Sequence, residues 1–87
     1  MAIKKSQVAL HVRVKLNENF EPKCLGEEYL VKDKIIFIAD KNVFNDSIGE
    51  YVMLKGMTNP ELDNEPMFMS SGYAYLNQLD LEFPINY

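Results

Sequence analysis

The densest group of ionisable side chains lies between two prolines, where Glu61, Asp63 and Glu65 alternate along residues 60–66. Alternate residues of an extended segment point to the same side, so the three carboxylates could converge on one ligand. Carboxylates in this arrangement bind a basic protein surface or a hard cation such as Ca²⁺. The simplest interpretation is a solvated loop that serves solubility. Among binding functions, we expect contact with a protein partner rather than with a metal.

Side chains that could act as catalysts occur singly. His11 is the only histidine and Cys24 the only cysteine, and neither has a partner in a recognisable catalytic pattern. A single cysteine excludes an internal disulfide, and one His with one Cys is too few for a structural zinc site. We predict that His11 lies on the exposed side of a strand and that Cys24 is a small buried side chain. We therefore expect no enzymatic activity, no metal and no cofactor.

The internal methionines gather on both sides of the acidic segment, Met53 and Met57 before it and Met67 and Met69 after it. If the flanking strands form a hairpin that pairs Met57 with Met67, alternate residues share one face of a sheet. That face would carry Tyr51, Met53, Lys55, Met57, Met67, Met69, Tyr73 and Tyr75, and the opposite face is apolar as well.

Two apolar faces exceed what a small antiparallel sheet normally buries, because one face of such a sheet is usually wet. Met and Tyr side chains also suit adaptable binding surfaces. We therefore predict a partner-binding surface made of Tyr51, Met53, Met57, Glu61, Asp63, Glu65, Met67, Met69, Tyr73 and Tyr75. The alternative is an ordinary core that the first strand and residues 22–34 close.

The strands that would position this surface centre on residues 34–56, where two runs of four apolar residues flank a polar connector. These runs, residues 35–38 and 51–54, predict buried strands. Strict alternation over residues 8–16 predicts a half-buried first strand, and alternation over residues 73–83 predicts a long last strand that Pro84 ends. Residues 22–34 fit a hairpin, which we favour, or a short helix that begins at Pro22.

These elements predict an all-β fold in a single domain spanning residues 1–87, a small antiparallel barrel or sandwich of five to six strands. An α+β fold with one short helix near residues 22–32 is the alternative. The length of 87 residues fits one domain, and a hydrophobic content of 47% argues against disorder.

The net charge of −4 is unevenly distributed along the chain. Residues 1–34 carry seven Lys and Arg against five Asp and Glu, whereas residues 35–87 carry two against eight. Duplex nucleic acid is therefore an improbable partner, because phosphate binding requires a basic surface. The N-terminal residues lack the apolar core of a signal peptide, and no apolar run is long enough to span a bilayer. We expect a cytoplasmic protein without membrane contact.

The segment SIGEYVML at residues 47–54, followed by Pro60 and Glu61, resembles the strand-and-turn segment of phage uracil-DNA glycosylase inhibitors. That resemblance implies a small acidic DNA mimic that binds its enzyme with an exposed strand and an apolar pocket, with Met53 at a pocket-lining position. Lys55 replaces an apolar pocket residue of that family, and its N-terminal helices and Glu-Ser strand motif have no counterpart here. No site residue is therefore transferred.

The sequence as a whole predicts a non-enzymatic protein-interaction module that self-associates or binds a larger protein. A phage-type inhibitor of a host protein and a subunit of a larger assembly both fit this description. The alternative is a small β-barrel that binds a ligand or single-stranded nucleic acid, with Tyr51, Tyr73 and Tyr75 as stacking platforms.

Overall fold

The fold is built around one long central strand that pairs with neighbours on both edges. The computed structural model describes residues 1–33, 35–57 and 69–83. In chain order its elements are strand β1 (Val14–Leu16), helix α1 (Leu25–Lys32) and strands β2 (Ile35–Ile38), β3 (Phe44–Asn45), β4 (Glu50–Met57), β5 (Met69–Tyr75) and β6 (Leu79–Leu81). Two short 3₁₀ turns, Lys5–Gln7 and Leu76–Gln78, complete the described elements.

Strand β4 is the centre of a four-stranded antiparallel sheet. One edge pairs with β5 from Tyr51↔Tyr75 to Met57↔Met69. The other edge is shared, because β2 pairs with the second half of β4 and β3 pairs with its first two residues. Between them, the backbone N–H of Ala39 donates to the Met53 carbonyl at 2.9 Å. The two apolar runs of the sequence are thus neighbouring strands, as their composition predicts.

A second, two-stranded sheet pairs β1 with β6. It meets the larger sheet through an isolated bridge between Arg13 and Phe37. The Arg13 guanidinium also donates to both carboxylate oxygens of Glu82, at 2.8 and 3.1 Å. This bidentate ion pair lies next to the β1–β6 pairing and reinforces it. The described residues are mostly strands with one short helix, in two sheets that do not close into a barrel.

Leu25–Lys32 forms a helix rather than part of the favoured hairpin, so the hairpin prediction is wrong. The helical alternative is right, although the helix begins at Leu25 rather than at Pro22. Glu27 and Glu28 lie in the first turn of α1 and Lys32 in the last, where their charges complement the helix dipole. Gly26, which weakens a helix, is required by packing, because a Cβ at this position would lie 2.7 Å from the Ser71 carbonyl oxygen.

Helix α1 covers one face of the large sheet, hereafter the inner face. Leu30 is fully buried against it, and Glu27 is buried beside it. Gly72 of β5 allows this close approach, because an added Cβ would lie 2.9 Å from Leu30 and would overlap the side chain of Glu27. The core between α1 and the sheets consists of Ile3, Val14, Leu30, Ile36, Ile38, Val52, Leu54, Ala74 and Leu79.

Two predicted strands are shorter than their alternation suggests. In the stretch 8–16 only Val14–Leu16 is a strand, because His11 adopts a left-handed φ of 70° in a turn. The stretch 73–83 is interrupted by the 3₁₀ turn Leu76–Gln78, and the Gln78 side chain accepts a hydrogen bond from the Tyr75 N–H at 3.0 Å. Alternation of residue types survives both turns, so it could not locate them.

Candidate interaction face

The second face of the large sheet points away from α1. Side chains alternate along β4, so Val52 and Leu54 lie in the core and Tyr51, Met53 and Lys55 lie on the opposite side. Cross-strand pairing extends this outer face to the neighbouring strands. It consists of Ile35, Phe37, Phe44, Tyr51, Met53, Lys55, Met57, Met69, Ser71, Tyr73 and Tyr75.

The register of β4 and β5 differs from the predicted one by two residues. Met57 pairs with Met69 rather than with Met67, and Lys55 pairs with Ser71 rather than with Met69. A shift of two positions keeps every side chain on the same face, because side chains in a strand repeat with a period of two. The predicted members of the face that fall within the described residues therefore share one face despite the wrong register.

Four aromatic rings form a continuous cluster at one end of the outer face. Phe44 stacks on Tyr51 with a centroid separation of 5.7 Å, and Tyr51 lies 4.9 Å from Tyr73. Tyr75 contacts both tyrosines edge-on, at 5.8 and 6.0 Å. Such tilted and offset contacts are favourable between aromatic rings. The four rings therefore form one contiguous cluster on the surface.

Tyr75 is the most buried ring of this cluster and is fixed by a hydrogen bond. Only 9% of its surface is exposed, and its hydroxyl donates to the Asp46 carboxylate at 2.7 Å. That hydrogen bond lowers the pKa of Asp46, and the N–H groups of Ile48 and Gly49 lower it further. The same bond to Asp46 raises the pKa of the Tyr75 hydroxyl above its ordinary value. The bond connects the turn between β3 and β4 to β5.

The exposed apolar side chains of the outer face are two methionines and one phenylalanine, and Lys55 and Ser71 are exposed between them. Met53 is 41% exposed and Met69 is 56% exposed, and Phe44 is 36% exposed at the end of the cluster. Met57, Tyr51 and Tyr73 are partly buried. Within the described ranges no strand or helix lies over these side chains, since α1 packs on the inner face. Exposed methionine side chains thus lie on the same face as the aromatic cluster.

The edge of β5 is blocked by side chains of the segment that precedes and begins α1. Lys23 donates from Nζ to the Tyr73 carbonyl at 3.1 Å, and Glu27 accepts from the Tyr73 N–H at 3.4 Å. The same two side chains form an ion pair at 2.7 Å, and the Lys23 ammonium lies 4.2 Å from the centre of the Tyr73 ring. Tyr73 thus cannot pair with an added strand at this edge.

Six of the ten predicted contact residues lie together on the outer face, namely Tyr51, Met53, Met57, Met69, Tyr73 and Tyr75. The other four, Glu61, Asp63, Glu65 and Met67, lie outside the described residues. Sequence reasoning missed Phe44 and Phe37, which β3 and β2 add to the same face. It also missed Lys23 and Glu27, whose spacing of four on or beside a helix was the available signal.

The single cysteine and histidine lie apart from this face's aromatic cluster. Cys24 precedes α1 and is exposed, so its predicted burial is wrong. His11 is exposed, as predicted, but it lies in a turn with its ring edge-on to Phe37 at 5.8 Å. No group of three or more His, Cys, Asp or Glu side chains that could hold a metal occurs among the described residues.

No helix in the described part of the chain is both long enough and apolar enough to cross a bilayer. The chain matches no model of a protein family, no curated protein and no solved structure in comparisons with known proteins.

Proposed function

We propose that this chain is a non-enzymatic protein-interaction module that binds its partner through the outer face of the β4-centred sheet. One observation carries the proposal: the exposed side chain of Met53 lies beside a cluster of Phe44, Tyr51 and Tyr73, and the exposed Met69 lies further along the same face opposite Met57. Exposed apolar side chains that are grouped on one face mark binding sites more often than single exposed ones do.

The chemistry of the face supports protein as the ligand. Methionine side chains have three rotatable bonds and a polarisable sulfur, so they adapt to an irregular partner surface. Tyrosine and phenylalanine are enriched at the buried centres of protein interfaces. Because Tyr73 is blocked at the edge of β5, a partner would gain more from the face than from adding a strand there. An inhibitor of a larger protein and a subunit of an assembly would both use such a face.

The proposal is tested by removing the exposed methionines. The variant Met53→Ser/Met69→Ser deletes two apolar side chains that are about half exposed in the free protein. Burial of each exposed methionine side chain on binding would contribute roughly 1 kcal/mol to the binding free energy. The double substitution should therefore weaken binding by at least about tenfold. The matched control is Leu25→Ser/Val31→Ser, which removes side chains of 64% and 55% exposure from α1, on the opposite side of the sheet.

Binding is measured by affinity capture from the source cells with quantitative mass spectrometry, and self-association by size-exclusion chromatography with light scattering. We expect wild type and the α1 control to retain the same partner or oligomer and the methionine variant to lose it. Equal loss in both variants would contradict a role for the outer face. A second result would also contradict it: a monomer that captures no partner and whose Met53 and Met69 resist oxidation by peroxide. Resistance to oxidation would mean that the chain itself covers these side chains.

A second candidate is the binding of single-stranded nucleic acid or of a small ligand to the same aromatic rings. The stacked, partly exposed rings of Phe44 and Tyr51 favour it, since bases stack on such surfaces. The net charge of −4 opposes it, and the burial of Tyr75 leaves fewer rings for stacking. Binding of nucleic acid is tested by titrating the protein with short oligonucleotides at low salt and following its tyrosine fluorescence. An unchanged signal excludes binding of single-stranded nucleic acid to these rings.

A further inference from the structure

Lys55 lies in the middle of the outer face. Its cross-strand neighbours are Phe37 on β2 and Ser71 on β5, and Met53 and Met57 lie two residues away along β4 on the same side. The side chain is exposed. All the other residues that define the outer face are uncharged, so Lys55 is a single cation within an apolar surface.

Several other charged side chains near the sheets have partners of opposite charge. Lys5 pairs with Glu50, Arg13 with Glu82, and Lys23 with Glu27. Lys55 forms no ion pair with any of the described residues. In the free protein this costs little, because the exposed ammonium group is hydrated.

A partner that covers the face would remove that hydration. Burying an unpaired ammonium group is strongly unfavourable, whereas an ammonium group that meets a carboxylate with good geometry is tolerated. A partner that binds through the methionines must therefore either leave Lys55 at the rim or present an acceptor to it. The central position of Lys55 between Phe37 and Ser71 disfavours the rim.

A second copy of this chain is a poor occupant of the face. Two copies that associate through the same surface are related by a two-fold axis, and a residue at the centre of the surface lies close to its own copy. Two Lys55 ammonium groups would then be buried together without a carboxylate from either outer face. Nucleic acid is also disfavoured, because one lysine on a chain of net charge −4 does not form the basic surface that phosphates require.

We propose that the partner is a different protein that presents an aspartate, glutamate or terminal carboxylate, flanked by apolar side chains, to Lys55. The carboxylate pairs with the ammonium group, and the flanking side chains pack on Met53, Met69 and the aromatic cluster. Lys55 then selects partners, because an apolar segment without the acid leaves the lysine buried and unpaired. This inference rests on the proposed function of the outer face.

The test is a selection of displayed random linear peptides on the immobilised full chain, followed by affinity measurements on the enriched peptides. We expect an enriched acidic residue between apolar or aromatic ones. Lys55→Glu should weaken binding of these peptides by at least about tenfold, and changing the peptide's acid to lysine should restore binding to that variant. Lys41→Glu, which makes the same charge change at an exposed position outside the strands, should leave affinity unchanged.

The outcomes separate this inference from the function on which it rests. Peptides that depend on Met53 and Met69 but bind Lys55→Glu as well as wild type would overturn the role of Lys55 and leave the interaction face standing. Basic peptides that lose binding in Glu61→Gln/Asp63→Asn/Glu65→Gln would show that the acidic segment selects the partner instead. A selection that enriches no peptide sensitive to Met53→Ser/Met69→Ser, or an oligonucleotide that binds through Lys55, would overturn both proposals.

Discussion

Substitution of Gly72 by alanine should destabilise the protein by forcing α1 away from β5. The added methyl group would lie 2.9 Å from a Leu30 methyl carbon, whereas carbon atoms in contact are about 3.5–4.0 Å apart. Leu30 is fully buried, and Glu27 is held by its ion pair with Lys23, so neither side chain can move freely. Overpacking of this kind costs about 1–3 kcal/mol.

Alanine also recovers about 0.5–1 kcal/mol relative to glycine within a strand, which leaves a net loss of up to about 2.5 kcal/mol for Gly72→Ala, with a central value of about 1 kcal/mol. For a domain of this size, the central loss lowers the melting temperature by roughly 4–8 °C. The free energy of unfolding is measured by urea denaturation, followed by far-ultraviolet circular dichroism and by tyrosine fluorescence. An unchanged m-value would show that the variant unfolds as the wild type does.

The control is Gly49→Ala in the turn between β3 and β4. The nearest heavy atom to its added Cβ is a Tyr75 ring carbon at 3.8 Å, which is ordinary contact, and Gly49 does not have a positive φ. This variant should be neutral or stabilised by up to about 1 kcal/mol, because alanine restricts the unfolded chain. If Gly72→Ala proves as stable as Gly49→Ala, α1 does not pack on Gly72, and the account of the inner face is wrong.

Two further variants test the groups that hold the sheet in register. Glu27→Gln should cost about 1–3 kcal/mol, because a buried charge-assisted pair is lost, whereas Glu28→Gln on the exposed side of α1 should stay within about 0.5 kcal/mol in the same urea assay. Equal effects would mean that Glu27 is hydrated. Tyr75→Phe should raise the pKa of Asp46 toward 3.8, as followed by an NMR titration of its side-chain carboxyl. Because the pKa of Asp46 is lowered in the folded state, its ionised carboxylate stabilises the fold at pH values above its ordinary pKa. This stabilisation is lost as the pH falls through the folded-state pKa. The difference in unfolding free energy between wild type and Tyr75→Phe should therefore shrink in acid. An Asp46 titration that is the same in both proteins would contradict the hydrogen bond.

The large sheet could be predicted because its strands are specified by local composition. Runs of β-branched and aromatic residues mark β2 and β4, and the parity of side chains along β4 and β5 places Met53 with Tyr73 on one face. Parity is a robust prediction, since a register error of two residues leaves it unchanged. The β4 and β5 members of the outer face therefore followed from the sequence, whereas the pairing of Met57 and the contributions of Phe37 and Phe44 did not.

Helix α1 could not be predicted with the same ease, because its hydrophobic pattern is inverted. The helical alternative placed Leu25 and Tyr29 on one face, and that face is exposed. The residues that point to the core are Leu30 and the charged Glu27. The buried carboxylate of Glu27 is tolerated because it pairs with the Lys23 ammonium and accepts a hydrogen bond from the Tyr73 N–H of β5. The Tyr73 partner is distant in sequence and is brought to Glu27 by the tertiary structure. Periodicity alone carries no information about such partners.

Strand β6 pairs with segments from the beginning of the sequence. Both β1 and the backbone around Ala2 and Ile3 pair with β6, and Arg13 and Glu82 are separated by 69 positions in the sequence. Helix α1 and strands β2 to β5 all precede β6 in the sequence, so β1 lacks its pairing partner until β6 is available. A chain truncated before β6 therefore leaves β1 and the backbone of Ile3 unpaired, and such open pairing surfaces promote aggregation.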